Sequence, residues 1–135
     1  MMISEKLPSQ IEIIPAFILK VKEELKSLSV QREDVHDIAL CLHEALVNAI
    51  KHGNRFSPDL EVEVRLEADA DRLTVTVKDQ GQGFDYTRVP DPTKPDNLEK
   101  TSGRGVFLVK RLMDRVDFSD EGRGITMTKF FKKRR

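Results

Sequence analysis

Two neighbouring runs decide the fold: "LEVEVRLEA", Leu60 to Ala68, and "RLTVTVKD", Arg72 to Asp79. In the first, Leu60, Val62, Val64 and Leu66 share one face, and Glu61, Glu63, Arg65 and Glu67 share the other. In the second, Leu73, Val75 and Val77 alternate with Thr74, Thr76 and Lys78. Successive side chains of a strand point to opposite faces, so this alternation predicts an antiparallel hairpin with one wet face and one apolar face.

The apolar face needs a cover, and the flanking sequence supplies it. Towards the N-terminus, Ile14, Phe17, Ile18, Val21, Leu25 and Leu28 follow helical spacing, predicting a helix over 10–28 with Pro15 in its first turn. Val35, Ile38, Ala39, Leu42, Leu46, Ala49 and Ile50 predict a second helix over 32–51, stopped at Gly53-Asn54. Residues 3–8 are read as a short first strand. Towards the C-terminus, residues 84–102 hold Pro90, Pro92 and Pro95 and show no period. A loop of about nineteen residues is long for a compact domain, and such loops are usually lids or binding loops. A third helix is expected from Gly105 to about Met113, then strands near 115–119 and 124–131 joined by the turn "DEGRG". The pattern describes one mixed α/β domain over residues 1–135, with helices covering the apolar face of a single sheet.

Composition narrows the function classes. Apolar residues make up 39% and charged residues 34% of the 135-residue chain, as in a globular protein. Lys+Arg and Asp+Glu both number 23, so bulk charge indicates no direct nucleic-acid partner. The basic stretch "KFFKKRR" is read as a solvated tail. A single cysteine, Cys41, excludes an internal disulfide and fits a reducing compartment. No run resembles a secretory leader or a membrane span, so a cytoplasmic protein without membrane contact is expected.

Several motifs are excluded. No G-x-x-x-x-G-K-[ST] occurs, "GQGFDY" and "GRGVFL" lack the third glycine of a dinucleotide fingerprint, and "HEALV" lacks the second histidine of a zinc protease. His36, His43 and His52 have no metal-ligand spacing with Cys41 and are read as helix-surface residues.

Three features carry chemistry. First, Asp79 follows Val77 at period two, so its carboxylate should point to the core side, where an acid needs a donor such as the exocyclic amine of a purine. Second, Gly81 and Gly83 let a flat ligand approach the backbone, and Gly103 and Gly105 near a helix start leave N–H groups open to an oxyanion. Third, in "CLHEALVNAIKHGN" the residues Glu44, Asn48 and Lys51 form one stripe, opposite Leu42 and Leu46. That stripe is either a solvated face or a set for a metal–phosphate group, with an amide oxygen for Mg²⁺ and a carboxylate as base.

In this order, Glu44-x-x-x-Asn48, Asp79-x-Gly81-x-Gly83, a long loop, Gly103-x-Gly105 and Gly124-Ile125-Thr126 resemble the ATP-binding domain of gyrase-type topoisomerases, 90-kilodalton heat-shock chaperones, sensor histidine kinases and MutL-type repair proteins. The resemblance spans about residues 10–131, and "EALVNAIKHGN" with "SGRGVFLVKRLMDRV" is most similar to bacterial anti-sigma factor serine kinases. It implies the Bergerat ATP-binding fold, an α+β two-layer sandwich whose sheet is mixed but mostly antiparallel and carries its helices on one face. It further implies ATP and Mg²⁺, with Asp79 on the adenine amino group and Thr126 supporting it. Asn48 would be the Mg²⁺ ligand, Glu44 the general base, Gly81 and Gly83 the floor beside base and sugar, and 84–102 the ATP lid. Gly103, Arg104 and Gly105 would meet the phosphates, and Lys51 would touch them from the helix.

The expected function is a serine/threonine protein kinase that phosphorylates a small antagonist protein in a partner-switching circuit, with a sigma factor as second partner and a homodimer implied by the resemblance. Two alternatives stand beside it: a stand-alone histidine-kinase catalytic domain acting on a separate chain, and a nucleotide-gated binding module without kinase activity.

Overall fold

The two alternating runs pair as β2 (Glu61–Ala68) and β3 (Arg72–Lys78), antiparallel, with Val64 opposite Val77 and Leu66 opposite Val75. The computed structural model describes residues 1–81 and 101–132, without the side chains of 101–106. Val62, Val64, Leu66, Leu73, Val75 and Val77 on the inner face of this pair are buried, while Glu61, Glu63, Arg65 and Glu67 stay exposed. The alternation therefore fixes which face meets the helices, since a one-residue slip would turn all of these side chains over.

Strand β1 (Met2–Pro8) pairs with β2. On the other side β5 (Gly124–Phe130) pairs with β3, and β4 (Arg115–Ser119) with β5, giving the order β1-β2-β3-β5-β4. All four ladders are antiparallel, so the sheet expected to be mixed but mostly antiparallel is antiparallel throughout its described strands. β3 and β4 do run the same way, but β5 lies between them, so no parallel pair is adjacent.

The cover consists of α1 (Ile14–Ser27), α2 (Arg32–Val47) and α3 (Thr101–Leu112), with α2 packed against both others. Pro15 lies in the first turn of α1, where its missing N–H breaks no helical bond. Ile14, Phe17, Val21 and Leu25 bury the inner stripe of α1, and Val35, Ile38, Leu42 and Leu46 that of α2. The arrangement is the expected α+β two-layer sandwich, with helices on one face and a polar open face. Among the described residues no helix is long and apolar enough to cross a membrane. Cys41 is buried within α2, and burial, with the Asp37 carboxylate adding to it, pushes its thiol up to about 12. A thiol so protonated is a poor nucleophile.

The described part of the basic stretch is not a solvated tail. Strand parity turns Lys129 inward with Ile125 and Met127, and it is only 7% exposed. Its Nζ donates to the Leu112 carbonyl at 2.6 Å and lies 3.4 Å from Asp37 Oδ2. The ammonium thus satisfies an orphan carbonyl at the end of α3 and pairs with α2. Beyond β5, Lys132 N donates to Asp34 Oδ2 at 2.7 Å and Lys132 Nζ to Glu33 at 2.6 Å. The chain end is therefore fastened to the first turn of α2. Residues 133–135 lie outside the described residues.

Removing the ammonium leaves the Leu112 carbonyl and Asp37 without their shared donor. Lys129→Ala is expected to lower stability by about 3 kcal/mol, read as a shift of the urea midpoint. The double change Lys129→Met with Asp37→Leu should recover part of that loss, because neither member of the pair is then stranded.

Candidate functional site

Asp79 lies one residue beyond β3, yet the strand's parity continues through it: the residue is buried, 6% exposed, on the side of Val75 and Val77. Its N–H donates to the Arg123 carbonyl at 2.9 Å, extending the ladder with β5. Its Oδ1 accepts from Gly81 N at 3.0 Å, closing a short Asx-type turn. Between them, Gln80 N donates to Asn54 Oδ1 at 2.8 Å. The Gly81 carbonyl accepts from Arg123 Nε at 2.9 Å. Asp79–Gly81 is thus pinned from both sides before the chain continues into residue 82.

The second wall comes from the end of α2. The helix does not run on regularly to Lys51: from Asn48 to Gly53 it widens into a π turn, with Asn54 N donating to the Ala49 carbonyl at 2.8 Å. Such wide turns are rare and often sit at functional sites. This one ends by pressing the Gly53 backbone onto Asp79. A Cβ at Gly53 would overlap the carboxylate and stand 2.8 Å from Asp79 Cβ. A Cβ at Gly81 would in turn overlap the Gly53 carbonyl oxygen. Helix end, acid and second glycine are stacked so closely that neither glycine tolerates a side chain without a shift.

Asn54 locks this stack to the sheet. It is buried, and its Nδ2 donates to Ser9 Oγ and to the Glu61 carbonyl, both at 3.0 Å. Ser9 Oγ in turn donates to the Leu60 carbonyl at 2.6 Å, and Glu61 N donates to Gln80 Oε1 at 2.7 Å.

The predicted stripe on α2 resolves into a gradient. Asn48 is 3% exposed, Glu44 sits at the rim with its side chain 31% exposed, and Lys51 faces solvent. The solvated-face alternative fails at Asn48 and holds at Lys51. The Asn48 amide oxygen, buried and four residues from the Glu44 carboxylate on one helix face, is of the kind that suits a hard cation such as Mg²⁺. The donor set therefore fits that ion. His43 Nδ1 lies 3.9 Å from Glu44 Oε1.

Other expected residues fare differently. Thr126 is not brought to Asp79: it faces the open side of the sheet, 3.3 Å from the Thr76 hydroxyl and opposite Thr76 in register. The position that shares Asp79's side is Ile125, which is buried and pairs with Val77. Strand parity forbids the expected role of Thr126. Helix α3 begins at Thr101, four residues before the expected Gly105, so Gly103, Arg104 and Gly105 fall in its first turns and Thr101 and Ser102 leave the loop. The buried Val109 and Met113 at its far end supply the packing that carries the helix through its glycines. Gly83 and residues 84–100 of the expected lid lie outside the described residues. The sequence reading missed Gly53, Asn54 and Arg123 as parts of the site. Gly53 and Asn54 carried only a helix-stop signal, and Arg123 only a turn.

With the geometry in place, comparison with known proteins defines the class: the histidine kinase-like ATPase domain family matches residues 7–129, and this chain belongs to it. The serine-protein kinase RsbW of Staphylococcus epidermidis is 27% identical over 97% of this chain and 87% of its own length. RsbW of Staphylococcus aureus strain JH9 is 26% identical over the same shares. Among solved structures, the RsbU and RsbW domains of Rv1364c from Mycobacterium tuberculosis match with a TM-score of 0.64 at 18% identity. That match covers 100% of this chain and about a third (34%) of the other, and it supports the fold.

Two outcomes follow from the stack. Gly53→Ala must displace the Asp79 carboxylate, with an expected loss of about 1–3 kcal/mol in chemical denaturation. His52, in the same turn, has its pKa lowered by burial first and by the neighbouring Lys51 charge second. A histidine held neutral in the fold binds its proton more readily when unfolded, so stability should fall as pH drops through about 6.5. His52→Gln is expected to flatten that part of a stability–pH curve.

Proposed function

We propose that this chain binds ATP with Mg²⁺ and transfers the γ-phosphoryl group to a serine or threonine of a small antagonist protein. The circuit would be of the partner-switching kind, with a sigma factor as the alternative partner and a homodimer as the acting form. The names of the serine-protein kinase relatives support the reaction class. The observation that carries the reading is the joining of two buried polar residues from separate elements: Asp79 at the end of β3 and Asn48 at the head of the π turn, coupled through the Gly53 backbone.

In this reading Asp79 accepts a hydrogen bond from the adenine amino group, and Gly81 and Gly83 give the base and sugar a bare floor. Asn48 holds Mg²⁺, which when bound neutralises phosphate charge and aligns the phosphate oxygens. Gly103, Arg104 and Gly105 meet the phosphates from the first turns of α3, through the positive helix end and the N–H of Gly103, which a helix starting at Thr101 does not use in its own ladder. Lys51 reaches the phosphates from outside. Glu44 at the rim takes the proton from the acceptor hydroxyl, whose oxygen bonds to the γ-phosphorus as the bond to the bridging oxygen breaks and ADP leaves. A rim position suits a base that must meet a side chain from another protein.

Two variants test the assignments. Glu44→Gln should keep its nucleotide and lose transfer by about 10²–10⁴-fold, measured with labelled ATP and a candidate antagonist; transfer at the normal rate would remove Glu44 as base. Asp79→Ala should weaken ATP binding by roughly 10–100-fold, the loss of a charge-assisted hydrogen bond; unchanged binding by calorimetry would take Asp79 out of the site. If the unaltered chain binds ATP yet transfers nothing to any antagonist, a nucleotide-gated binding module is the correct class.

A further inference from the structure

We infer that Arg123 is a positioning residue for Asp79 and thereby sets the preference for adenine over guanine. It hydrogen-bonds the Asp79–Gly81 segment at both ends. Its carbonyl accepts from Asp79 N at 2.9 Å, and its Nε donates to the Gly81 carbonyl at 2.9 Å. Gly81 N donates in turn to Asp79 Oδ1 at 3.0 Å. The orientation of the carboxylate therefore depends on where Gly81 sits, and Arg123 fixes Gly81.

The turn that delivers Arg123 is built at a cost. Asp120, Glu121 and Gly122 all have positive φ, at 51°, 56° and 87°, and two of the three carry side chains. Left-handed conformation in consecutive non-glycine residues is strained and persists only where the surroundings impose it. The half-exposed ion pair of Arg123 with Asp120, 3.4 Å apart, is too weak to impose it. What the turn achieves is to bring the guanidinium to the Gly81 carbonyl, just beyond the end of β3. Arginine suits the task because its planar fork donates through Nε to Gly81 while NH1 faces Asp120.

The inference rests on the reading of Asp79 as the purine-reading acid. A carboxylate aimed at the base accepts from the 6-amino group of adenine and repels the 6-carbonyl of guanine, so its aim sets the ATP-to-GTP ratio. The experiment is equilibrium titration of the full chain with ATP and with GTP, alongside thermal unfolding, for the unaltered protein, Arg123→Lys, Arg123→Met and Asp79→Ala. Arg123→Met should lose about three- to tenfold in ATP affinity, the worth of one hydrogen bond, and less in GTP affinity. The ratio narrows, and Arg123→Lys should retain part of it. If Arg123→Met does not fold, Arg123→Gln with Arg123→Lys carries the same comparison. A folded variant that keeps the unaltered ratio, or loses both nucleotides equally, overturns the role of Arg123. If Asp79→Ala abolishes the ratio while Arg123→Met leaves it, Arg123 alone is wrong. If Asp79→Ala leaves it too, the reading of Asp79 fails first, and the inference with it.

Discussion

The site depends on one close approach: the backbone of Gly53 against the carboxylate of Asp79, with the carbonyl of Gly53 against Gly81 in turn. Two layers of a sandwich normally meet through side chains, about 10 Å apart. Here the helix layer reaches the end of the sheet through bare backbone, and the π turn delivers it there. A regular helix would advance five residues from Asn48 with a different rotation and rise. The wide turn keeps Asn48, Ala49, Ile50 and Gly53 all buried. One local departure from helix geometry thus sets both the burial of Asn48 and the contact at Asp79.

That contact also explains why so many polar groups gather around a short stretch of chain. A buried carboxylate raises the free energy of the fold unless donors face it, and strained or unpaired backbone nearby would add to it. Gly81 N donates to the carboxylate, and Asn54 and Arg123 bond the backbone around it. Asn54 ties Gln80 to the starts of β2 and of the helical layer through Glu61 and Ser9. Arg123 ties Asp79 and Gly81 to β5. At the opposite end of the same layer Lys129 does comparable work, joining α2, α3 and β5 through Asp37 and Leu112.

Much of this was legible in the alternation of Leu60–Ala68 and Arg72–Asp79. Parity alone placed Val62 to Leu66 and Leu73 to Val77 inward and carried Asp79 in with them. Applied to the last strand, the same rule places Lys129 inward and Thr126 outward, against the expectations of a solvated tail and of a hydroxyl beside Asp79. The roles of Gly53, Asn54 and Arg123 were not legible. They arise mostly from tertiary contacts between segments distant in sequence, and neither glycine nor asparagine after a helix announces more than a stop. The π turn is likewise invisible, because its apolar spacing over a single turn differs too little from a regular helix.

The two ends of the proposed site differ in exposure, and the chemistry gives a reason. Contacts to a base are the same before and during phosphoryl transfer, so they set affinity and selectivity and gain from being fixed in advance. Asp79 is held in that way. Contacts at the phosphates and the acceptor matter most where charge and bonding change, and the acceptor belongs to another protein that must enter and leave. Glu44 at the rim and Lys51 in solvent suit that end. A site buried at Asp79 and exposed at Glu44 and Lys51 would separate nucleotide recognition from partner access, so that a change at one end need not disturb the other.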